Sequence, residues 1–212
     1  MKQIIIITFS LTLFLVSCNN SATNQGQREI IPNPEKNVRD DYLKLPDSLK
    51  PKFKPDTLIG EISINNSDNV NKYLGKDVME KLIFKGLPNS SVTSIDRKQR
   101  LTFYFHPGNT AKEFSEFKVN YNENKNRKEQ VTNDKEFKTE SGIKLGMTSG
   151  EVRSIKGEPK IITENGTTMF HYKIDDFQNS EFLKKYNMPI YYANYVFKNG
   201  YLIEFSFGFE YP

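Results

Sequence analysis

The chain has one cysteine, no tryptophan and two histidines in 212 residues, and each scarcity removes a class of chemistry. A single thiol closes no intrachain disulfide, so the fold must rest on its apolar core. His106 precedes Pro107 at a strand end, and His171 alternates onto the polar side of its strand. Both read as solvated surface residues. His171 with Asp175 and Asp176 is the one grouping that suggests metal ligands, but it crosses a strand end and lacks a fourth ligand. Gly-x-Ser-x-Gly, phosphate-loop and His-Glu-x-x-His motifs are missing. The adjacent carboxylates Asp40 and Asp41 fall in a polar, proline-rich stretch. These absences predict a protein that is not an enzyme, with no catalytic residues, no cofactor and no metal. Basic runs are also missing, and the net charge is only +4, which argues against a nucleic-acid partner.

Long apolar runs are scarce too, and the one that exists is at the start. Met1-Lys2-Gln3 carries a positive charge, residues 4–16 carry none, and Leu15-Val16-Ser17-Cys18 closes the segment. The run is too short for a bilayer core, which needs about 20 apolar residues, and fits the hydrophobic region of a secretory signal. Leu-Val-Ser-Cys resembles the lipobox of bacterial lipoproteins. That resemblance implies a signal peptide over residues 1–17, cleavage before Cys18 and acylation of its thiol. The protein would then sit in the cell envelope, held to its membrane through lipidated Cys18, with the outer membrane favoured over the inner. One acyl chain binds marginally, whereas two or three anchor stably.

Residues 18–57 read as the lipidated cysteine and a flexible tether. Residues 19–27 are polar without a period, and Pro32, Pro34, Pro46, Pro51 and Pro55 follow, a composition that favours extended chain. The alternative is an arm that packs on the domain through Tyr42, Leu43 and Leu45. Asp47-Ser48-Leu49 and Asp56-Thr57-Leu58 resemble the Asp-Ser/Thr-apolar triplets that some bacteria O-glycosylate on exported proteins, which marks Ser48 and Thr57. Asn165-Gly166-Thr167 spells an N-glycosylation sequon, but Asn-Gly is better explained as a turn.

Beyond residue 58 the pattern becomes globular. Thr148-Ser149-Gly150-Glu151 is a capping box, Val152 and Ile155 share a helix face, and Gly157 with Pro159 ends the helix. Residues 168–174 alternate, with Phe170, Tyr172 and Ile174 on one side. Asn165-Gly166 and Asn199-Gly200 predict two-residue hairpin turns. In the last strand Tyr201, Ile203, Phe205, Phe207 and Phe209 are predicted to share the inward face.

Gly146-Met147-Thr148, then Val152, Gly157 and Pro159, together with Phe197-x-x-Gly200-x-Leu202, resemble the signature of the SmpA/OmlA/BamE family of small outer-membrane-assembly lipoproteins. The resemblance covers residues 142–209. It implies an α+β fold of short helices packed on an antiparallel sheet, as in the β-lactamase-inhibitor protein, and a binding role in the envelope. Ile62-Ser63-Ile64 with Val70, Tyr73 and Gly75 looks like a degenerate earlier copy. The expectation is therefore tandem units, residues 58–138 and 139–212, with the charged stretch 122–138 as a hairpin or as the connector between them. Within the second, the insertion 176–189 is the candidate binding site, with Phe182, Tyr186, Tyr191 and Tyr192 as its aromatic residues and Asn179 as a helix cap. The leading function is protein binding or assembly with an envelope partner. The alternative is small-molecule or glycan binding, and a hydrolase ranks third.

Overall fold

The computed structural model describes residues 44, 46–74, 89–105, 114–123 and 129–210, all within one compact unit, Ile31–Pro212. The signal segment, Cys18, residues 19–43, Leu45, Gly75 and His106 lie outside the described residues. In chain order the elements are β1 (Leu58–Ile59), β2 (Ile62–Ser63), α1 (Ser67–Leu74), β3 (Asn89–Thr93), β4 (Gln99–Phe105), β5 (Phe114–Tyr121), β6 (Gln130–Val131), α2 (Ser149–Lys156), β7 (Lys160–Glu164), β8 (Thr167–Ile174), α3 (Glu181–Tyr186), β9 (Ile190–Lys198) and β10 (Tyr201–Glu210). Strands β1 and β2 pair alone, and the other eight form one sheet in the order β6-β3-β4-β5-β10-β9-β8-β7. Every pairing is antiparallel except β3 with β6.

This corrects the expected tandem α+β units. Strand β5 of the first half and β10 of the second pair across five residues, with Phe205 opposite Val119 and Phe207 opposite Phe117. The rings of Phe117 and Phe207 meet edge-on at 5.4 Å across that seam. Two separate sheets would leave two exposed edges and split this apolar stripe. Joining them satisfies the edge backbone groups and makes one core. Helices of 8, 8 and 6 residues are minor parts of a sheet protein.

The local signals in the second half carry through. The Thr148 side chain accepts from the Glu151 N–H while the Glu151 carboxylate accepts from the Thr148 N–H, so α2 begins with its capping box. Both Asn-Gly pairs have positive φ, 49° and 76° at Asn165-Gly166 and 52° and 83° at Asn199-Gly200, as a type I′ turn requires. Helix α3 is capped by Ser180, one residue later than expected, while Asn179 donates to Asp176.

One face of the sheet is the core. It holds Leu101, Phe103, Phe117, Val119, Tyr191, Tyr195, Phe205 and Phe207, each completely buried. The expected inward run of β10 is corrected at its start. A bulge between Leu202 and Glu204 shifts the register, so Leu202 joins Phe205, Phe207 and Phe209 in the core while Tyr201 and Ile203 are only half-buried. An extra residue reverses the two faces, because side chains alternate with period two.

The segment 51–57 corrects the far end of the expected tether, for it is built into the body. Phe53 stacks on Tyr172 at 4.6 Å. Asp56 lies against Lys156 at 2.6 Å, each 1% exposed. The Glu140 carboxylate accepts from the backbone N–H groups of Thr57 and Leu58 at 2.6 and 2.9 Å. Gly157 belongs to this contact, since a Cβ there would overlap the Pro51 carbonyl.

Candidate functional site

The opposite face of the sheet carries the most varied chemistry. The strand registers align its side chains in rows that cross the strands. One row runs Tyr104, Glu116, Gly208, Tyr192, Lys173. The next runs Thr102, Lys118, Ser206, Asn194, His171. A third runs Arg100, Asn120, Glu204, Val196, Met169, Ile162. Most of these side chains are half-buried by their neighbours in the sheet.

Small residues on β10 set the shape of this face. Gly208 and Ser206 form a low line between the side chains of β5 and β9, and the Tyr192 hydroxyl reaches the Glu116 carboxyl across Gly208. A Cβ at Gly208 would overlap the Ser115 carbonyl and press on the Glu116 backbone, so the seam closes only with glycine there. Burial pushes the Glu116 carboxyl above its ordinary value near 4.5, against the opposing pull of the Tyr192 hydroxyl and Lys118. Burial, with the Glu116 charge beside it, also raises the Tyr192 phenol far above its ordinary value. Lys118 pairs with Glu204 at 2.8 Å, Arg100 with Glu129 at 3.0 Å, and His171 Nδ1 lies 2.7 Å from Asn194 Oδ1. The face is thus a mosaic of both signs, tyrosines, amides and a short apolar patch.

The residues expected to form one binding site are split between the two faces. Tyr191 is completely buried. Phe182 packs with it and with Phe209 at ring separations of 5.2 and 5.8 Å, and Tyr186 packs with Phe209 at 4.9 Å. Tyr191 is thus a core residue, Phe182 and Tyr186 are half-buried on α3 against the core side, and Tyr192 lies on the open face. Period-two alternation requires this split for 191 and 192, because neighbouring residues in a strand point to opposite sides. Sequence reasoning missed Glu116, Lys118, Tyr104 and Asn194, which are ordinary polar members of alternating strands. The available signal was that three adjacent strands alternate tyrosines or charges with apolar residues.

The other candidates are placed as follows. Ser48 is exposed in a one-turn helix, Asp47–Leu49. The Thr57 hydroxyl instead donates to Glu140 at 3.2 Å. Asp175 pairs with Lys173 at 3.1 Å, and Asp176 holds Asn179, so His171, Asp175 and Asp176 do not converge. Among the described residues no three His, Cys, Asp or Glu side chains are placed to hold a metal.

Two shallow grooves flank α2. One of about 330 Å³ is lined by Arg153, Ile161, Phe170 and the Asn199-Gly200 turn. The other, about 370 Å³, is lined by Tyr121, Lys144, Met147 and Tyr201. The buried polar centre is different in kind. Lys156 donates to the Lys54 carbonyl at 2.8 Å as well as to Asp56. Ser141 donates to Asp56 at 2.9 Å, and Tyr191 donates to the Asp56 carbonyl at 2.7 Å. Burial holds the Lys156 ammonium below its ordinary value near 10.5, although Asp56 draws it back up. With both ions closed to solvent this centre is a latch for the segment 51–57.

The fold and this face define a sheet protein with one packed side and one polar side. Comparison with protein-family models, curated proteins and solved structures finds no match to the chain.

Proposed function

We propose that the chain is a lipid-anchored envelope protein that works by binding another protein, and that the polar face of the sheet is its recognition surface. The signal-like start and the Cys18 lipobox support the address. The observation that carries the binding role is the composition of the face itself, where tyrosines, amides and charges of both signs surround the low line of Ser206 and Gly208. Tyrosine and arginine are enriched at protein interfaces, and mixed charge on a rim confers register and selectivity. A face of this kind orients a partner without carrying out chemistry on it.

The test is co-purification from gently solubilised membranes. Tyr192→Ala and Asn194→Arg alter the face without touching the core, and each is expected to lower recovery of the partner at least about tenfold, as truncation at an interface centre does. Ser154→Arg, on the exposed side of α2, should leave recovery unchanged. Undiminished recovery with both face variants, at unchanged thermal stability, would remove this surface from consideration.

A further inference from the structure

The two edges of the eight-stranded sheet are finished differently. At one end β6 is a two-residue strand, a stub that offers no template. At the other, β7 is a regular five-residue strand, paired with β8 in unbroken register and with no proline. No described element pairs with its outer edge, and Ile161 on it is 48% exposed. Long regular edges are usually blunted by bulges, prolines or a covering segment.

We propose that β7 pairs with the β7 of a second copy of this chain, antiparallel and about a two-fold axis at Ile162. The backbone fixes this choice of axis. A two-residue turn at Asn165-Gly166 makes Glu164 and Thr167 a hydrogen-bonded pair, so Ile162 and Lys160 also bond inward to β8. The outward-pointing N–H and C=O groups therefore belong to Ile161 and Thr163. An axis at Ile162 sets each Ile161 opposite the partner's Thr163, and all four outward groups on each strand find mates.

The side chains agree with the same axis. Lys160, Ile162 and Glu164 share the polar face, and both charged residues are exposed. Antiparallel pairing about Ile162 sets Lys160 opposite the partner's Glu164 on both sides of the axis, with the two Ile162 side chains between them. A strand of sequence Lys-Ile-Ile-Thr-Glu is thus its own complement in charge and in apolar contact. The groove lined by Arg153, Ile161 and Phe170 opens beside this edge on the core side and extends the apolar surface available to the second copy. The contact is isologous, so it closes as a dimer rather than growing into a fibre. It lies at the outer edge of the polar face, where Ile162 ends the third row, whereas the variants that test the recognition surface, at Tyr192 and Asn194, are on β9.

A disulfide reads the register directly. At the axis the two Ile162 positions form a non-hydrogen-bonded pair with Cα atoms about 4.5 Å apart, within the range that a disulfide spans. In the purified full-length chain at high concentration, Ile162→Cys should oxidise to a covalent dimer at least about tenfold faster than Thr163→Cys, whose symmetry mate is offset by two residues and out of reach. The parent chain, carrying Cys18 alone, sets the baseline. Lys160→Glu, added to Ile162→Cys, should slow the cross-link several-fold by setting two carboxylates face to face, and adding Glu164→Lys should restore it. Equal rates at 162 and 163, or no recovery in the double charge reversal, would overturn the proposal. So would a cross-link from residue 162 to a different protein in place of a second copy.

Discussion

Between Tyr192 and Glu116 lies Gly208, and the missing side chain there lets a phenol on β9 reach a carboxyl on β5. The consequence is a carboxyl whose charged form is disfavoured by burial. A raised folded value means that the folded state holds its proton more firmly than the unfolded chain does. The stabilisation is fully present below the unfolded value and is lost as pH rises through the folded one. Glu116→Gln keeps the neutral, hydrogen-bonding form at every pH. The variant should therefore be more stable than the parent at pH 7 and show no such gain at pH 4, by urea unfolding at both. An equal difference at the two pH values would show that Glu116 does not titrate abnormally. No single residue in the sequence announces this triad. Glu116, Tyr192 and Gly208 are distant in the chain, and only the registers of β5, β9 and β10 bring them together. Tyr191 was illegible for the opposite reason, since tyrosine suits both an interface and a core.

At the scale of elements, the legible parts are those whose signal is local. A capping box, an Asn-Gly turn or an alternating strand is complete within a few residues, and α2, the two hairpins and β8 appear where the sequence sets them. The bulge in β10 carries no local mark, so strict alternation misplaces Tyr201 and Ile203. The segment 51–57 is still less visible. Phe53, Pro55 and Asp56 have no period, and the lysine that holds Asp56 is a hundred residues on, within a short helix whose charges look solvated. The latch makes a definite prediction. Removing one member of a buried ion pair strands the other, at a cost of about 3–5 kcal/mol, whereas replacing both by apolar residues is often neutral. Asp56→Ala should lower the unfolding free energy by that amount in urea titrations, and Asp56→Leu with Lys156→Met should regain most of it. A chain begun at residue 58 loses Phe53 as well and should be less stable than Asp56→Ala. A loss below about 1 kcal/mol for Asp56→Ala would mean that water reaches Lys156, contrary to its burial.

At the scale of the molecule, among the described residues, one continuous sheet packs its aromatic side against three short helices and the segment 51–64, and turns a polar mosaic the other way. In the sequence, the latched segment 51–57 stands between Cys18 and the strands of the sheet. If Cys18 is acylated, Phe53 and Asp56 lie between the anchor and the strands of the polar face in the chain. Attachment and recognition would then be separable. Cys18→Ala tests this with two readouts. The parent should incorporate a clickable palmitate and stay with the membrane pellet after a high-salt wash, because two or more acyl chains hold firmly. The variant should do neither. Body stability, by contrast, should be the same in both, because the contacts described for residues 51–57 are made with Glu140, Lys156, Tyr172 and Tyr191. Equal labelling of parent and variant would refute the lipid anchor. Labelling of the parent alone, with a large fall in the stability of the variant, would refute the separation of anchor from fold.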